Sequence, residues 1–440
     1  MSLEADPPAH PATAGTGPLT SPWKRETLAV VLEATSVLFA NGETTERTID
    51  AGQRIAGAHG CRSAAVARWD GLTIRLEDGE GACHDIVPVT PIGIDMRKVT
   101  EAERAVDALC TGALRPQETV AVFRRTAALA PVSVVRSTLA IVFGAEHVVS
   151  VGLIAVSAGL GALVRRGLAG VSRNPFVQPL AAASLAGLVG GLAQRYQLSS
   201  PLALVALCPC MVLVPGPHFL NGLADVIHAR VALGAARLAF ALLVVAAIST
   251  GLLVGLWGTG ATLPVSPPSR AIALPVDVAA AGLAVFAYSS FYSMPWRQLR
   301  LPILTGMAAH ALRWSALALG ASAYAAAFFV CLLAGLVTTL LGARLRLPFA
   351  ALSFAAVVAL IPGVFLFRLA AAFVQIAGLG EKAPPALVSI TLGDGVTATL
   401  ILMAMGLGLL APRLLAERFG RATVPATNGG SSAHGHGVSV

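Results

Sequence analysis

Ionisable side chains lie inside long apolar segments of this chain, where a charge is costly and is therefore a functional candidate. Asp394 lies a few residues into the last apolar segment, between Gly393 and Gly395. Glycine on both sides allows other backbone to approach the carboxylate closely. Because a carboxylate in that position can exchange a proton or bind a cationic group, we rank Asp394 first among the candidate coupling residues.

Three arginines lie within or near the ends of apolar segments, and Arg136 and Arg313 are predicted to be deeper than Arg368. Each can pair with a carboxylate, bind the carboxyl group of a solute, or extend to the membrane interface. Histidine titrates near neutral pH, so His310 is a candidate; a helix-packing histidine bonded to a carbonyl is an equally good interpretation. Glu146 lies at the junction of the first two apolar segments, where a solvated loop is the simpler interpretation.

A Pro-Gly pair interrupts each of two apolar segments, at Pro215-Gly216 and at Pro362-Gly363. Such a break frees backbone amides and carbonyls, which can bind a polar solute where they line a cavity. A packing kink is the alternative, because Pro and Gly are common in membrane helices. Asn221 and Asp225 follow the first break one helical turn apart and are expected to face the same side of the protein.

The segments around the two breaks belong to an internal repeat. Leu185–Val189 and Leu333–Val337 have the same sequence, and each is followed at a similar spacing by a proline and then by a Pro-Gly pair. An offset of about 147 residues over three landmarks is typical of a duplicated unit. Tandem apolar repeats with breaks at matching places are typical of secondary transporters.

Ten apolar stretches of about 17–25 residues are long enough to cross a bilayer. They lie at 127–145, 147–164, 175–194, 202–220 and 233–257, and then at 276–293, 301–320, 322–342, 348–371 and 390–411. Five spans per repeat place the two repeats in opposite orientations. The predicted fold is mostly α: a polytopic membrane protein of about ten transmembrane helices in two inverted five-helix repeats, preceded by a small α+β cytosolic domain.

The composition agrees with a membrane protein and argues against a nucleic-acid partner. Hydrophobic residues make up 55% of the chain and charged residues 12%, against about 25% charged in soluble proteins. Residues 1–125 carry 13 basic and 17 acidic side chains, and the rest carry 18 and 6. With the amino-terminal domain in the cytoplasm, the inward loops carry twelve basic residues and the outward loops three. The positive-inside rule then predicts a multi-pass protein of the cell membrane with both termini cytoplasmic.

The predicted domains are a disordered tail (1–22), a cytosolic α+β domain (23–125), a first five-span module (126–258), an extracytoplasmic linker (259–275), a second five-span module (276–412) and a disordered cytoplasmic tail (413–440). Within the cytosolic domain the spacing predicts helices over 26–40, 44–58 and 100–114, with Asn41 either ending the first helix or capping the second. Asp70-Gly71 predicts a hairpin between strands over 65–69 and 72–76. No nucleophile elbow, metal-ligand spacing or phosphate loop is recognisable there, so this domain is predicted to gate or regulate.

These motifs, taken in order, resemble the threonine/serine exporter family. In that family a cytosolic segment with a Gly-Glu-Thr-like helix start precedes two five-span modules. The matching stretches are Asn41–Glu46, Val214-Pro215-Gly216 with Leu220-Asn221 and Asp225, Gly234 with Arg237-Leu238, and Leu360–Val364. Relatives tend to carry Arg just before that Asp, where this chain has Ala224, so a salt-bridge role at this point loses its support from the family.

The resemblance implies export of small hydroxy amino acids, driven by the proton gradient, with no cofactor and no metal. Some relatives with split modules look like dicarboxylate exporters, which leaves a dicarboxylate or another small metabolite as the alternative substrate. A membrane-embedded hydrolase is a remote alternative, because no nucleophile-base pair is recognisable. Cys208-Pro209-Cys210 favours a heavy-metal pump only weakly, since the Asp-Lys-Thr-Gly motif of such ATPases is absent from the sequence. A homo-oligomer is compatible with the sequence.

Overall fold

The computed structural model describes residues 22–129, 148–196, 202–261, 273–342 and 349–422. Residues 22–129, here called the head, form helices packed on one antiparallel sheet in the order β1-β2-β3. In chain order its elements are α1 (Pro22–Ala40), α2 (Thr45–Ala58), β1 (Arg62–Ala67), β2 (Gly71–Asp78), β3 (Gly81–Pro88), α3 (Met96–Cys110) and α4 (Pro116–Ala127).

The predicted hairpin is present, but with Ala67 of β1 opposite Leu72 of β2 its turn residues are Trp69-Asp70, one residue before the predicted pair. Helix α2 is capped by Thr44, whose hydroxyl accepts a hydrogen bond from the amide of Arg47 at 3.4 Å; Asn41 therefore ends α1 and does not cap α2. The sequence analysis does not predict α4 or β3. Strand β3 is exposed along much of its length and lacks the alternation of a half-buried strand. The core of the head includes Val30, Val31, Leu38, Ile55, Ile74, Leu76, Val106 and Phe123.

The remaining described residues are almost entirely helical, and short 3₁₀ or π turns link some of the helices. The helices are α5 (Val148–Ala169), α6 (Val177–Arg195), α7 (Leu202–Met211), α8 (Gly216–Ile227), α9 (Val231–Trp257), α10 (Leu274–Phe291), α11 (Arg300–Ala318), α12 (Ala323–Val337), α13 (Phe349–Val357), α14 (Gly363–Leu379) and α15 (Pro385–Ala422).

Within the described residues, seven helices are long and apolar enough to cross a membrane, and the pair α7–α8, bent by 48° at its break, makes up to eight. The predicted span 127–145 lies almost wholly outside these residues. The predicted span 301–320 corresponds to α11, which is not among the candidate spans because His310 and Arg313 interrupt its apolar surface. The predicted span 348–371 is broken at its Pro-Gly pair as expected, with α13 stopping at Val357, but its end is wrong because the candidate span after the break is Gly363–Lys382. Pro362 causes this division, because it has no amide to donate.

The repeated Leu-Ala-Gly-Leu-Val segments pack in the same way in both halves of the chain. A Cβ on Gly255 of α9 would lie 2.9 Å from the Cα atom of Gly187 in α6. A Cβ on Gly335 of α12 would lie 3.1 Å from the Cα atom of Leu409 in α15. Glycine is needed at these contacts because the backbones of membrane helices approach each other closely there. The contacts position α9 and α15, each of which carries one residue of an ion pair described below.

Candidate functional site

Both Pro-Gly breaks adopt the same backbone turn. Pro215 has φ −81° and ψ 64°, and Pro362 has φ −76° and ψ 46°. In each break the amide of the glycine donates to the carbonyl oxygen of the residue before the proline, at 2.8 Å in the first and 2.7 Å in the second. This geometry is an inverse γ-turn. The duplication in the sequence therefore extends to the local backbone geometry.

The two breaks also lie against each other. A Cβ on Gly216 would collide with the side chain of Ile361, which directly precedes the second Pro-Gly pair. In the other direction, a Cβ on Gly363 would lie 3.6 Å from Val214, which precedes the first pair. A side chain at Gly216 would thus push the two turns apart. The breaks form one junction between the two halves of the chain.

The first half places a buried ion pair just after its break. Asp225 of α8 and Arg237 of α9 have side chains only 2% and 1% exposed, and Oδ2 of the carboxylate lies 3.4 Å from Nε of the guanidinium. Arg230 approaches the same carboxylate at 3.8 Å. The guanidinium of Arg237 also lies over the ring of Phe39 in the head, 5.1 Å from its centre. Asp225 therefore forms ion pairs with arginines that follow it in the chain, although Ala224 stands directly before it where an arginine is expected.

The second half places another buried ion pair after its own break. Nε of Arg368 in α14 lies 3.1 Å from Oδ2 of Asp394 in α15, and each side chain is 8% exposed. Nothing in the described structure lies within 4 Å of a Cβ added at Gly393, and Gly395 has only ordinary contacts with Leu369. The close backbone approach expected from these glycines is therefore wrong. What distinguishes Asp394 is its arginine partner.

The two pairs have opposite polarity relative to the breaks. In the first half the helix after the break carries the carboxylate and the next helix carries the arginine; in the second half the order is reversed. Arg368 lies six residues after Pro362, and Asn221 lies six residues after Pro215. The position that carries a cation in the second half thus carries a neutral amide in the first.

Asn221 connects the first break to the head. Its side-chain amide donates to the carbonyl oxygen of Gly42 at 3.2 Å, and Gly42 has a φ of +95° that favours glycine. Asp225, one turn later in α8, lies beside the hydroxyl of Thr45, the first residue of α2. Both side chains therefore face the loop between α1 and α2.

Further contacts dock the head on the ends of α8, α9 and α10. Arg230 donates to Glu46 at 2.5 Å, the amide of Met96 donates to the carbonyl of Tyr292 at 2.8 Å, and Trp69 packs on Phe240 with ring centres 5.3 Å apart. Burial raises the pKa of Glu46, but the hydrogen bond and charge of Arg230 bring it below its ordinary value. The head is thus joined to the membrane region by polar, charged and aromatic contacts.

His310 and Arg313 lie in α11, away from the two ion pairs. Nδ1 of His310 lies 3.3 Å from Oδ2 of Asp277 in α10, so a carboxylate is its partner and not a backbone carbonyl. Arg313 is partly exposed and makes no ion pair within the described residues. Arg368 is more buried within the protein, at 7% exposed; the depth of the arginines in the membrane stays a prediction.

Arg136 and Glu146 lie outside the described residues. Two functional candidates carry a weak signal or none in the sequence. Arg237 is prominent only as part of the stretch that matches the exporter family, and its pairing with Asp225 requires the fold. Arg368 is one of the three arginines named from the sequence, and aligning the two breaks singles it out further because it occupies the position of Asn221.

Two family models match this chain and together cover most of it. A threonine/serine exporter model matches residues 29–257, which include most of the head and both residues of the first ion pair. A second model, described as "Threonine/Serine exporter, ThrE", matches residues 277–415, which include the second break and the second ion pair. No curated protein and no solved structure matches the chain. With its multiple membrane-spanning helices, the chain is a multi-pass membrane protein that belongs to the threonine/serine exporter family.

Proposed function

We propose that the protein is a secondary active exporter of threonine and serine, driven by the proton gradient. The observation that carries the proposal is the buried pair of Arg368 and Asp394, whose arginine lies six residues after Pro362. A charge pair in the membrane is costly and its partners are strongly coupled. Its carboxylate can exchange a proton, and its two charges match those of a zwitterion.

The pair can couple the two fluxes if the proton and the substrate compete for Asp394. The ionised carboxylate binds the ammonium group of the amino acid, while Arg368 binds its carboxylate bidentately. On the outer side, a proton on Asp394 removes the charge that holds the ammonium group, and the substrate leaves. Each proton that enters then accompanies one substrate that leaves, as in an antiporter.

The paired γ-turns supply the structural element that alternates. Ten spans in two inverted five-helix repeats would place the turns near the membrane midplane, where inverted repeats hold their substrates. Both turns leave the helical hydrogen-bond ladder, so rocking of one half against the other bends the helices where they are already broken. The excess of basic residues on the head side supports a cytoplasmic head with both termini in the cytoplasm.

Efflux of threonine tests the proposal. Cells that lack their own exporters are loaded with a threonine-containing dipeptide, with and without this protein, and threonine is measured outside. Faster efflux that is lost when a protonophore collapses the gradient supports the proposal. Efflux that persists after collapse contradicts the proton coupling, and no increase with the protein present in the membrane contradicts the substrate.

A dicarboxylate exporter is the second candidate, and the buried arginines favour it. Arg237 and Arg368 are each less than a tenth exposed, and each follows one of the two breaks in the chain. Two guanidinium groups could bind two carboxylates. Inhibition of threonine efflux by internal succinate, stronger than by internal serine, would favour the dicarboxylate.

A further inference from the structure

Polar atoms that are buried and lack hydrogen-bond partners collect where the head meets α8 and α9. Within the described residues, Nε, Nη1 and Nη2 of Arg237 have no hydrogen-bond partner, and neither has Oδ2 of Asp225, since their contact at 3.4 Å lacks hydrogen-bond geometry. Arg237 is 1% exposed. A buried guanidinium with all its donors unused is strongly unfavourable unless another group accepts them.

The head brings a matching acid to this place. Glu43 is fully buried; its Oε1 accepts a hydrogen bond from the amide of Thr44 at 2.8 Å, and its Oε2 has no partner among the described residues. Gly42, directly before it, accepts from Asn221 of α8, and Thr45, two residues after it, lies beside Asp225. The backbone of Glu43 is therefore held beside α8, and its carboxylate lies near Glu103 of α3.

Neutral polar groups complete the arrangement. Asn221 uses its amide nitrogen on Gly42, but its Oδ1 has no partner among the described residues, and the hydroxyl of Thr45 has no hydrogen bond of good geometry there. Asn221 and Thr45 are 3% and 2% exposed. This place, here called the head interface, thus combines the unbonded donors of Arg237 with the carboxylates of Asp225 and Glu43. Asn221 and Thr45 add two neutral groups that can form hydrogen bonds with a hydroxyl.

We propose that the head interface is a binding site for the substrate amino acid, to which the head contributes Glu43 and Thr45. The site rests on the proposed export function and adds to the pair of Arg368 and Asp394 a second place for the substrate, at the face of the head. The guanidinium of Arg237 binds the α-carboxylate bidentately. Asp225 and Glu43 bind the ammonium group, and Thr45 and Asn221 bind the side-chain hydroxyl. Charges of both signs at one site favour a zwitterion over a dicarboxylate, because the second carboxylate of a dicarboxylate would be repelled by Asp225 and Glu43.

The site is closed in this structure, since its side chains are almost fully buried. Access therefore requires the head to move away from α8, and closure of the head over the ligand occludes it. The contacts of Glu46 with Arg230 and of Trp69 with Phe240 lie in the same interface and hold the head in place. These peripheral contacts provide control positions, because they dock the head without facing the ligand.

Binding of radiolabelled threonine to the full chain in lipid nanodiscs tests the site. In an Asp394→Asn background, which removes the ammonium partner of the other site, Arg237→Lys and Glu43→Gln are expected to weaken binding at least tenfold, and Glu46→Gln, a docking control, less than threefold. Threonine methyl ester lacks the carboxylate, so Arg237→Lys should not weaken its binding further. N-acetylthreonine lacks the ammonium group, so Glu43→Gln should not weaken its binding further. Ratios of affinities measured on the same preparation remain valid if a variant loses stability.

Three outcomes overturn the proposal, and they are distinguishable. Equal losses of affinity in Glu43→Gln and Glu46→Gln, whichever analogue is used, would mean that the head interface only docks the head. Binding and efflux at the unmodified level in both site variants would overturn the site and leave the export function standing. Wild-type protein that neither binds nor exports threonine or serine would overturn the export function and this site together.

Discussion

The side-chain amide of Asn221 donates to the carbonyl oxygen of Gly42 at 3.2 Å and joins segments 179 residues apart in the chain. One end of this bond lies in the loop that starts α2, and the other lies on the helix that follows the first break. Any motion of that helix must therefore move, stretch or break a contact with the head. This coupling gives the head a mechanical connection to the transport region.

Asp394→Asn is expected to abolish the pH dependence of threonine flux. The amide has the size of the carboxylate but cannot exchange a proton, so substrate release no longer responds to external acid. Initial efflux is measured at external pH 5.5 and 7.5 with the internal pH fixed. Glu381→Gln, an exposed acid in the same half of the chain, is the control and should keep the wild-type dependence. An unchanged dependence in Asp394→Asn would remove this residue as the coupling group.

Breaking the second ion pair should cost more stability than removing it. Arg368→Gln leaves a buried carboxylate without its cation and should lower the free energy of unfolding by about 3 kcal/mol. The double variant Arg368→Gln with Asp394→Asn should regain most of that loss, because no charge remains buried. Denaturation in detergent measures both. Equal losses in the single and double variants would show that the two side chains are not coupled. Transport should be absent in both.

Replacing Pro215 and Pro362 together by Ala should slow transport at least tenfold while insertion into the membrane is unchanged. Alanine restores an amide donor and allows the helix to continue through each γ-turn, which stiffens the point of bending. Pro385→Ala, at the exposed first residue of α15, is the matched control. Full activity in the double variant would reduce both breaks to packing features.

The head should lose stability as the pH rises from about 4.5 to 7, because of Glu103. Burial raises the pKa of this carboxyl from 4.5 to about 7, although Arg47 and Arg54 oppose the shift from 3.7 Å. The folded head keeps a proton that the unfolded chain releases in this range, so stability is highest below it and falls across it by up to about 3 kcal/mol.

Glu103→Gln should remove that pH dependence, since the amide resembles the protonated carboxyl. Proteolysis of the head in urea, in the full chain at pH 5 and at pH 8, measures the change. Glu101→Gln, a partly exposed position on the same helix that pairs with Arg104, should leave it intact. A wild-type head that is equally resistant at both pH values would contradict the assignment.

The sequence predicts the breaks well because their signals are local. A Pro-Gly pair disrupts a helix wherever it occurs, and the constant spacing of its two copies does not depend on the fold. Asp70-Gly71 likewise indicates a hairpin, whose turn lies one residue earlier, at Trp69-Asp70. The predicted end of the ninth span, 348–371, is wrong because the candidate span after the break continues to Lys382.

The ion pairs show what the sequence cannot predict. Arg237 follows Asp225 by twelve residues and Asp394 follows Arg368 by twenty-six, so the partners meet only because α9 and α15 fold back along the helices before them. Glu43 lies in a loop whose sequence indicates only a helix start. Its burial results from docking against helices almost two hundred residues away. Such contacts depend on tertiary packing and leave no periodic signal.

Purified protein in liposomes tests the central claim most directly. Vesicles are loaded with labelled threonine at pH 7.5, diluted without nucleotide into buffer at pH 5.5 or 7.5, and release is measured for wild type and Asp394→Asn. The account predicts that the inward proton gradient accelerates release by wild-type protein at least fivefold and leaves Asp394→Asn unaffected. Equal wild-type release with and without the gradient would contradict proton-driven export.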